Sequence, residues 1–378
     1  MNILLITPGI NKSFNDNYHA YKYIADVNNN ILAISNKENI NKGGRQKKSP
    51  EIDVDGSLVI HRIFDSMREQ QSFFRRLAYK KKINALVSKF RPDIIFCEEI
   101  SNLRFALEIK NILGVPIVLR TEFAFDPNFP YRSLGRILKL FKNSLTGDHL
   151  PILLGKLIWN WAYARSDAVI SCYYEDVINK AKVNNTPFYF IPWPTFYPNI
   201  KNNSRRVRNR AIFIGAFDPH KNLSELLITI PYILSQTHIK EFCIVGVGED
   251  IEIIKQLRAK YPNQITHYQS LSREDCLLLI RESFISYSPA TRGGWGFIGD
   301  SWAMGTPVVV THNHYGFLDD VDSVVTSKEK IVKRINSLYE NKNEFDRLSK
   351  GGHKRFLKNH TSQAVGQKFL DICESLIN

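Results

Sequence analysis

Short apolar runs alternate with amphipathic stretches along the first half of the chain, and this alternation restricts the fold more than any other feature. Stretches such as 74–90 and 101–113 lie between the runs and repeat their apolar residues with a helical period of about 3.6. Uninterrupted apolar strands separated by such helices are typical of a parallel sheet covered on both faces. The predicted strands are 3–7, 30–35, 58–64, 93–97, 116–121, 167–172 and 188–194.

The same rhythm starts again after NIKNNSRRVRNR (199–210), a polar and basic stretch without apolar periodicity that we interpret as a linker. Because ligands bind at the carboxyl ends of strands in such sheets, a cleft between two such domains is the expected active site. We therefore predict an α/β protein of two Rossmann-like, doubly wound domains facing a cleft. The second set of predicted strands is 211–217, 242–248, 265–269, 284–290 and 306–313, with helices over 222–235, 250–260 and 273–282. The predicted domains are 1–198 and 211–359, with a C-terminal helix of about 360–378 packing back on the first.

The charge balance predicts a polyanionic partner. The 378 residues include 51 Lys and Arg against 37 Asp and Glu, a net charge of +14. Such an excess favours a nucleic acid, an anionic membrane surface or a phosphorylated substrate. The first ten residues have the pattern of a strand and not of a signal peptide, no uncharged apolar run reaches the ~20 residues of a membrane span, and the five cysteines are scattered. The scattered cysteines argue against a zinc or disulfide framework, and these features together predict a cytoplasmic protein.

Two segments of the second half have the pattern of an anion site. In IFIGAFDPHKN (212–222) a strand ends at Gly215 and Lys221 opens a helix, where exposed N–H groups and a cation attract phosphate. In SPATRGGWGFIGDSWAMGTPVVVTHN (288–313), glycines follow a strand and Asp300 stands in the next helix, where a carboxylate can bind ribose hydroxyls. VGVGED (245–250) is interpreted as a strand–helix turn only.

Taken in order, these segments resemble the C-terminal domain of GT-B glycosyltransferases, specifically the retaining family 4 type, or glycosyl transferases group 1. SDAVISCYYEDVINKA (166–181) followed by FYFIPWP (188–194) is also similar to the end of the family's first domain. The resemblance implies transfer of a sugar from a nucleotide-diphosphate sugar to a hydroxyl acceptor, with retention. It implies an acceptor-binding first domain, a donor-binding second domain and no cofactor besides the nucleotide sugar. It implies no metal, so Asp320-Val321-Asp322 is not interpreted as a metal motif.

The resemblance also assigns residues to the donor. Gly215 and Lys221 would hold the diphosphate, backbone N–H groups from 294–296 would do so from a second loop, and Asp300 would replace the family's ribose-binding glutamate. Thr306 would be structural or lie near the phosphates. The predicted donor-binding set is Gly9, Gly215, Lys221, Arg292, Gly293, Gly294, Trp295, Gly296, Asp300 and Thr306.

The sequence departs from the family pattern at two positions. Ala216 stands where the family has its diphosphate arginine, and the first glutamate of the Glu-x7-Glu pattern is missing. We expect Arg292 to supply the lost cation, because a guanidinium pairs bidentately with a diphosphate. The missing glutamate leaves the donor sugar open, and it leaves a degenerate nucleotide-sugar-binding protein as an alternative function.

The first domain offers candidates for the acceptor side. Pro8-Gly9 ends the first strand, His19 follows in the next predicted loop, and Glu122 ends PIVLRTEF (116–123). A carboxylate or imidazole there can bind an acceptor hydroxyl or take its proton. The predicted catalytic residues are Glu122, His19 and Lys221. The alternatives are a structural histidine at position 19 and an ion pair between Glu122 and Arg120.

Much of the positive charge lies in the first domain. Residues 75–91 contain seven basic residues and no acidic one, and 131–145 have the pattern of a basic amphipathic helix. Both features favour an anionic membrane surface, and thus a lipid-linked saccharide or glycolipid as acceptor for an enzyme peripheral to the inner face of the membrane. The alternative is a glycosyltransferase that modifies bases in DNA, since Trp193 and Tyr197 stand next to the arginines of 199–210.

Overall fold

The computed structural model describes residues 1–10, 16–38, 49–121, 160–172, 186–195, 197, 206–217, 221–290, 295–311 and 323–377. The chain divides into two compact units. Unit 1 comprises Met1–Pro192 together with Gly366–Asn378, and unit 2 comprises Trp193–Val365. Each unit is built on one sheet.

Unit 1 contains an eight-stranded sheet in the order β3-β4-β2-β1-β5-β6-β7-β8. Its pairs are parallel except that the edge strand β3 runs antiparallel to β4. The central strands are buried on both faces, which explains their uninterrupted apolar runs. The strands are β1 (Asn2–Ile6), β2 (Asn30–Asn36), β3 (Ile52–Asp55), β4 (Leu58–Phe64), β5 (Ile94–Glu98), β6 (Ile117–Thr121), β7 (Ala168–Ser171) and β8 (Phe188–Phe190). The helices are α1 (Asp16–Asp26), α2 (Met67–Gln71), α3 (Phe73–Phe90) and α4 (Ile100–Leu113).

Unit 2 contains a six-stranded parallel sheet in the order β11-β10-β9-β12-β13-β14. The strands are β9 (Val207–Ile214), β10 (Glu241–Val245), β11 (Ile265–Tyr268), β12 (Ser283–Ser288), β13 (Val308–Val310) and β14 (Val324–Val325). The helices are α5 (Ser224–Gln236), α6 (Ile251–Lys260), α7 (Arg273–Glu282), α8 (Trp295–Ala303), α9 (Ile331–Glu340), α10 (Lys342–Asn359) and α11 (Ser362–Ile377). From Gly366 onward α11 belongs to unit 1, where Phe369 lies against Phe96 and Tyr21.

The strand order reverses once in each sheet. In unit 1 the reversal lies between β1 and β5, and in unit 2 between β9 and β12. At such a switch point the connections leave in opposite directions, so the carboxyl ends of the two strands border an open crevice. Each unit therefore has one place where a ligand is expected.

The predicted fold class is confirmed: both halves are doubly wound α/β units. Two short edge strands, β3 and β14, were not predicted. β9 begins at Val207, inside the stretch interpreted as a linker. Its first residues include arginines, which break the apolar pattern of a strand, and these arginines have partners in the same unit. Arg210 donates to Glu241 at 2.8 Å, and the Arg208 guanidinium lies 4.6 Å from the centre of the Tyr339 ring.

Within the described ranges, no helix has the length and hydropathy needed to cross a bilayer.

Candidate functional site

The turn after β9 is held unusually close to the turn after β10. The Gly215 N–H donates to the Val245 carbonyl at 3.0 Å, and the Phe217 N–H donates to the Val247 carbonyl at 2.9 Å. Gly246 has φ +146°, and a Cβ there would lie 1.9 Å from the Gly215 carbonyl oxygen. Only glycine allows this approach. VGVGED is thus a strand–helix turn, as its sequence predicts, and it also shapes the Gly215 turn.

Lys221 lies over the Gly215 turn, as the phosphate-site pattern requires. A Cβ at Gly215 would be 3.7 Å from Lys221 Cε. The neighbouring Asn222 donates through Nδ2 to Glu225 at 2.7 Å and to the Pro289 carbonyl at 3.3 Å. Because Pro289 directly follows β12, this amide ties together the turns that follow the two switch-point strands. Gly215 and Lys221 are therefore both at the predicted crevice of unit 2.

Asp300 is a buried carboxylate on α8 that pairs with Arg273. Its two oxygens accept from the two terminal nitrogens of Arg273, each at 2.6 Å, which makes a bidentate pair. The Asp300 side chain is 8% exposed and that of Arg273 is 40% exposed. Burial is the main cause that raises the pKa of the nearby Cys276 thiol to about 11, and the negative charge of Asp300 adds to this effect.

The pair with Arg273 fixes the orientation of the Asp300 carboxylate. Carboxylate oxygens are acceptors of the kind that ribose hydroxyls need. Arg273 is absent from the predicted site. The signal that could have revealed it is its place as the first residue of α7, directly after the cap Ser272 and at the end of a strand–turn segment.

The other predicted donor residues fall into three groups. Trp295 begins α8 as a buried ring beside His360, and at Gly296 a Cβ would meet no atom within 4 Å. Thr306 lies just before the amino end of β13, whereas Gly215 lies at the carboxyl end of β9. The Thr306 hydroxyl donates to the Ile280 carbonyl at 2.9 Å. The structure thus does not bring Thr306 to the other donor residues and gives it a backbone-anchoring role. Arg292, Gly293 and Gly294 lie outside the described residues.

The acceptor-side candidates in unit 1 are separated by the structure. Gly9 follows β1 at the switch point, and its N–H donates to Thr7 Oγ1 at 3.4 Å. His19 lies on α1 and not in the predicted loop, because the helix already begins at Asp16, and its ring makes an edge contact with Tyr18. Glu122 and 131–145 lie outside the described residues, as do 320–322.

A buried carboxylate that sequence reasoning missed occupies the switch point of unit 1. Glu98 ends β5 and accepts from Thr7 Oγ1 at 2.5 Å, from Arg120 at 2.9 Å and from the Tyr21 hydroxyl. Arg120 is Glu98's register partner on β6, so it pairs with this glutamate across the sheet. The available signal was a strand, DIIFC, that ends in two glutamates.

Among the residues that the structure describes, no group of three His, Cys, Asp or Glu side chains is placed to hold a metal ion.

Comparison with known proteins agrees with this geometry. Residues 199–355 match the family model described as glycosyl transferases group 1. This part of the chain is a glycosyltransferase domain. The prediction that the chain is a GT-B glycosyltransferase is thereby confirmed, while curated protein sequences give no match.

Solved structures similar to the whole glycosyltransferase chain share its fold at low identity. Sucrose-phosphate synthase from Thermosynechococcus elongatus has a TM-score of 0.70 and 13% identity, covering 100% of this chain and 99% of its own. HepE from Anabaena in complex with UDP has a TM-score of 0.65 and 13% identity, covering 100% of both chains. The lipopolysaccharide outer core galactosyltransferase WaaB has a TM-score of 0.62 and 12% identity, covering 99% of both. These likenesses show the fold.

Replacing Gly215 with alanine tests the contact between this turn and the donor. The added Cβ would lie 3.3 Å from Phe213 Cζ and 3.7 Å from Lys221 Cε, so the fold should tolerate it with a small adjustment. A methyl group there would still obstruct close approach of a diphosphate, and we expect the KM for the nucleotide sugar to rise several-fold. Steady-state kinetics beside a thermal melt would measure this. An unchanged KM would remove Gly215 from the donor site.

Proposed function

We propose that this glycosyltransferase transfers a sugar from a UDP-sugar to a hydroxyl group, with retention of the anomeric configuration. One observation carries the proposal: Lys221 over the Gly215 turn and Asp300 on α8 follow the two strands that border the switch point of unit 2. A cation and a fixed carboxylate there suit the diphosphate and the ribose of one nucleotide. UDP is favoured because HepE, of the same fold, was solved with UDP and with UDP-glucose.

In this proposal the chain acts mainly by positioning and by stabilising negative charge. Lys221 and the nearby turn amides would stabilise the diphosphate as it leaves. Asp300, oriented by Arg273, would bind the ribose and so fix the donor for attack. Arg292 stays the predicted second cation. His19 and Glu122 stay predicted catalytic residues that would bind the acceptor hydroxyl or take its proton. A separate protein base is not required if the donor phosphate takes that proton in the retaining reaction. The proposal requires no metal.

The proposed acceptor is a lipid-linked saccharide or a glycolipid, reached by an enzyme peripheral to the inner face of a membrane. Two observations support it. WaaB, which has the same fold, is named as a lipopolysaccharide galactosyltransferase. In addition, α3 carries basic residues and no acidic one.

A thermal-shift screen with UDP-, GDP-, ADP- and dTDP-sugars tests the donor. A ligand at one hundred times its Kd should stabilise the protein by about 2.7 kcal/mol, and we expect this with a UDP-sugar. No shift with any nucleotide sugar would contradict the proposal. Incubation of the stabilising donor with acceptors then separates an enzyme from a binding protein, and the anomeric signal of the product in NMR spectra tests retention.

A further inference from the structure

The first turns of α3 expose three large apolar side chains, which we call the docking tip: Phe73, Phe74 and Leu77. They are 39%, 81% and 46% exposed. Leu77 lies three and four residues after the two phenylalanines, so helical spacing places all three on neighbouring positions of one surface. The two phenyl rings are in edge contact, with centroids 5.7 Å apart. A cluster of this kind on a water-soluble surface is uncommon and marks an interaction site.

Basic side chains surround the docking tip. Arg75, Lys80 and Lys81 are exposed on α3, and the Arg104 guanidinium of α4 lies 5.2 Å from the centre of the Phe73 ring. These four residues form the basic rim.

The acidic groups on the neighbouring helices are engaged locally. Glu108 on α4 accepts from Arg76 at 2.7 and 3.1 Å, which neutralises its charge. Glu69 on α2 accepts from the backbone N–H of Asp65 at 3.0 Å. The local charge is therefore positive around an apolar centre. A nucleic acid duplex, whose bases are already paired and stacked, would engage the cations and leave the phenyl rings in water, whereas an anionic bilayer engages both.

The docking tip lies close to the switch point of the unit 1 sheet. The helix just before it, α2, contains Gln70, whose side-chain amide donates to the Thr7 carbonyl at 2.9 Å. Thr7 follows β1 at the switch point and also donates to Glu98. A surface that binds the docking tip would thus lie beside the edge that carries Gly9, where the acceptor is expected.

We propose that the docking tip inserts into the headgroup region of an anionic bilayer while the basic rim binds lipid phosphates. This inference rests on the proposed function, because it names the surface through which a membrane-bound acceptor would be presented. The insertion is non-covalent and reversible, and its strength depends on both parts. Each rim residue should contribute about a fivefold factor in affinity, and removing Phe74 and Leu77 together should weaken binding at least about tenfold.

Flotation with vesicles of equimolar phosphatidylcholine and phosphatidylglycerol tests the proposal on the full chain. We expect wild-type protein to float with these vesicles and not with phosphatidylcholine alone. The variants Phe74→Ser with Leu77→Ser, and Lys80→Gln with Lys81→Gln, should both lose flotation. The matched control is Ile228→Ser with Tyr232→Ser on α5, a similarly exposed apolar pair in unit 2, at 52% and 53%. It should float like the wild type.

The outcomes separate this inference from the proposed function. All variants should show the wild-type thermal shift with the nucleotide sugar, because none of the substituted residues lies at the donor site. Failure of the wild type to float, or flotation of the tip variant at the wild-type level, overturns the docking surface even if the donor binds. Salt-dependent binding of duplex DNA that needs the rim but not the tip would also overturn it. If the protein floats but no nucleotide sugar shifts its melting temperature, the docking surface is supported and the proposed donor is contradicted.

Discussion

Replacing Asp300 with asparagine should raise the KM for the nucleotide sugar about ten- to a hundredfold and change kcat much less. The carboxylate is nearly buried and is oriented by the bidentate Arg273 pair. A hydrogen bond to a charged group is worth about 1.5–3 kcal/mol, and in the proposed complex asparagine loses the charge and one acceptor oxygen. Because the ribose is bound equally in the ground and transition states, the loss should appear mainly in KM. Steady-state kinetics with the donor found by thermal shift would measure it.

Two further variants decide whether the effect comes from the ribose contact. Arg273→Lys keeps a cation but loses the planar fork, so the KM should rise less than in the Asp300 variant. Asp275→Asn removes an exposed carboxylate from the same helix region and should leave the KM unchanged. If Asp300→Asn binds the donor as tightly as the wild type, or if Asp275→Asn weakens donor binding as much as Asp300→Asn does, the ribose assignment is wrong.

The alternation of apolar runs and helical stretches was sufficient to predict both sheets, since buried parallel strands impose that pattern directly. It failed where strands lie at edges or begin in polar sequence. β3 places Asp53 and Asp55 toward Arg62 and Lys22 while its apolar residues face solvent, which reverses the usual pattern. The arginines at the start of β9 give this strand a polar sequence, and the partners that hold them lie on elements distant in sequence.

The site was predictable only where chemistry follows a local motif. Gly215, Lys221 and Asp300 stand in segments whose glycines and charges are contiguous, and the structure places all three in the switch-point region of unit 2. Arg273 and Glu98 become functional candidates only through contacts across the fold. Arg273 meets Asp300 from 27 residues away, and Glu98 meets Thr7 from 91 residues away. A one-dimensional pattern does not encode such pairs.

Replacing Glu98 with alanine should destabilise unit 1 by about 3–5 kcal/mol, the cost of leaving a buried charge without its partner. Arg120 is 1% exposed, and its guanidinium donates to Glu98 at 2.9 Å while lying 5.6 Å from the centre of the Phe369 ring. The substitution would also remove the acceptor of the Tyr21 and Thr7 hydroxyls. Urea denaturation followed by circular dichroism would measure the shift.

The double variant Glu98→Leu with Arg120→Met should be more stable than Glu98→Ala, because apolar residues of similar volume remove both desolvated charges together. Glu51→Ala, which breaks the exposed ion pair with Lys82 in the same unit, should leave the denaturation midpoint unchanged. If the denaturation midpoint of Glu98→Ala equals that of Glu51→Ala, the Glu98 cluster does not stabilise the sheet. The double variant could also lose transfer to the acceptor while its affinity for the donor stays unchanged. That result would show that the Glu98 cluster supports the Gly9 turn, because Thr7 contacts both Glu98 and the Gly9 N–H.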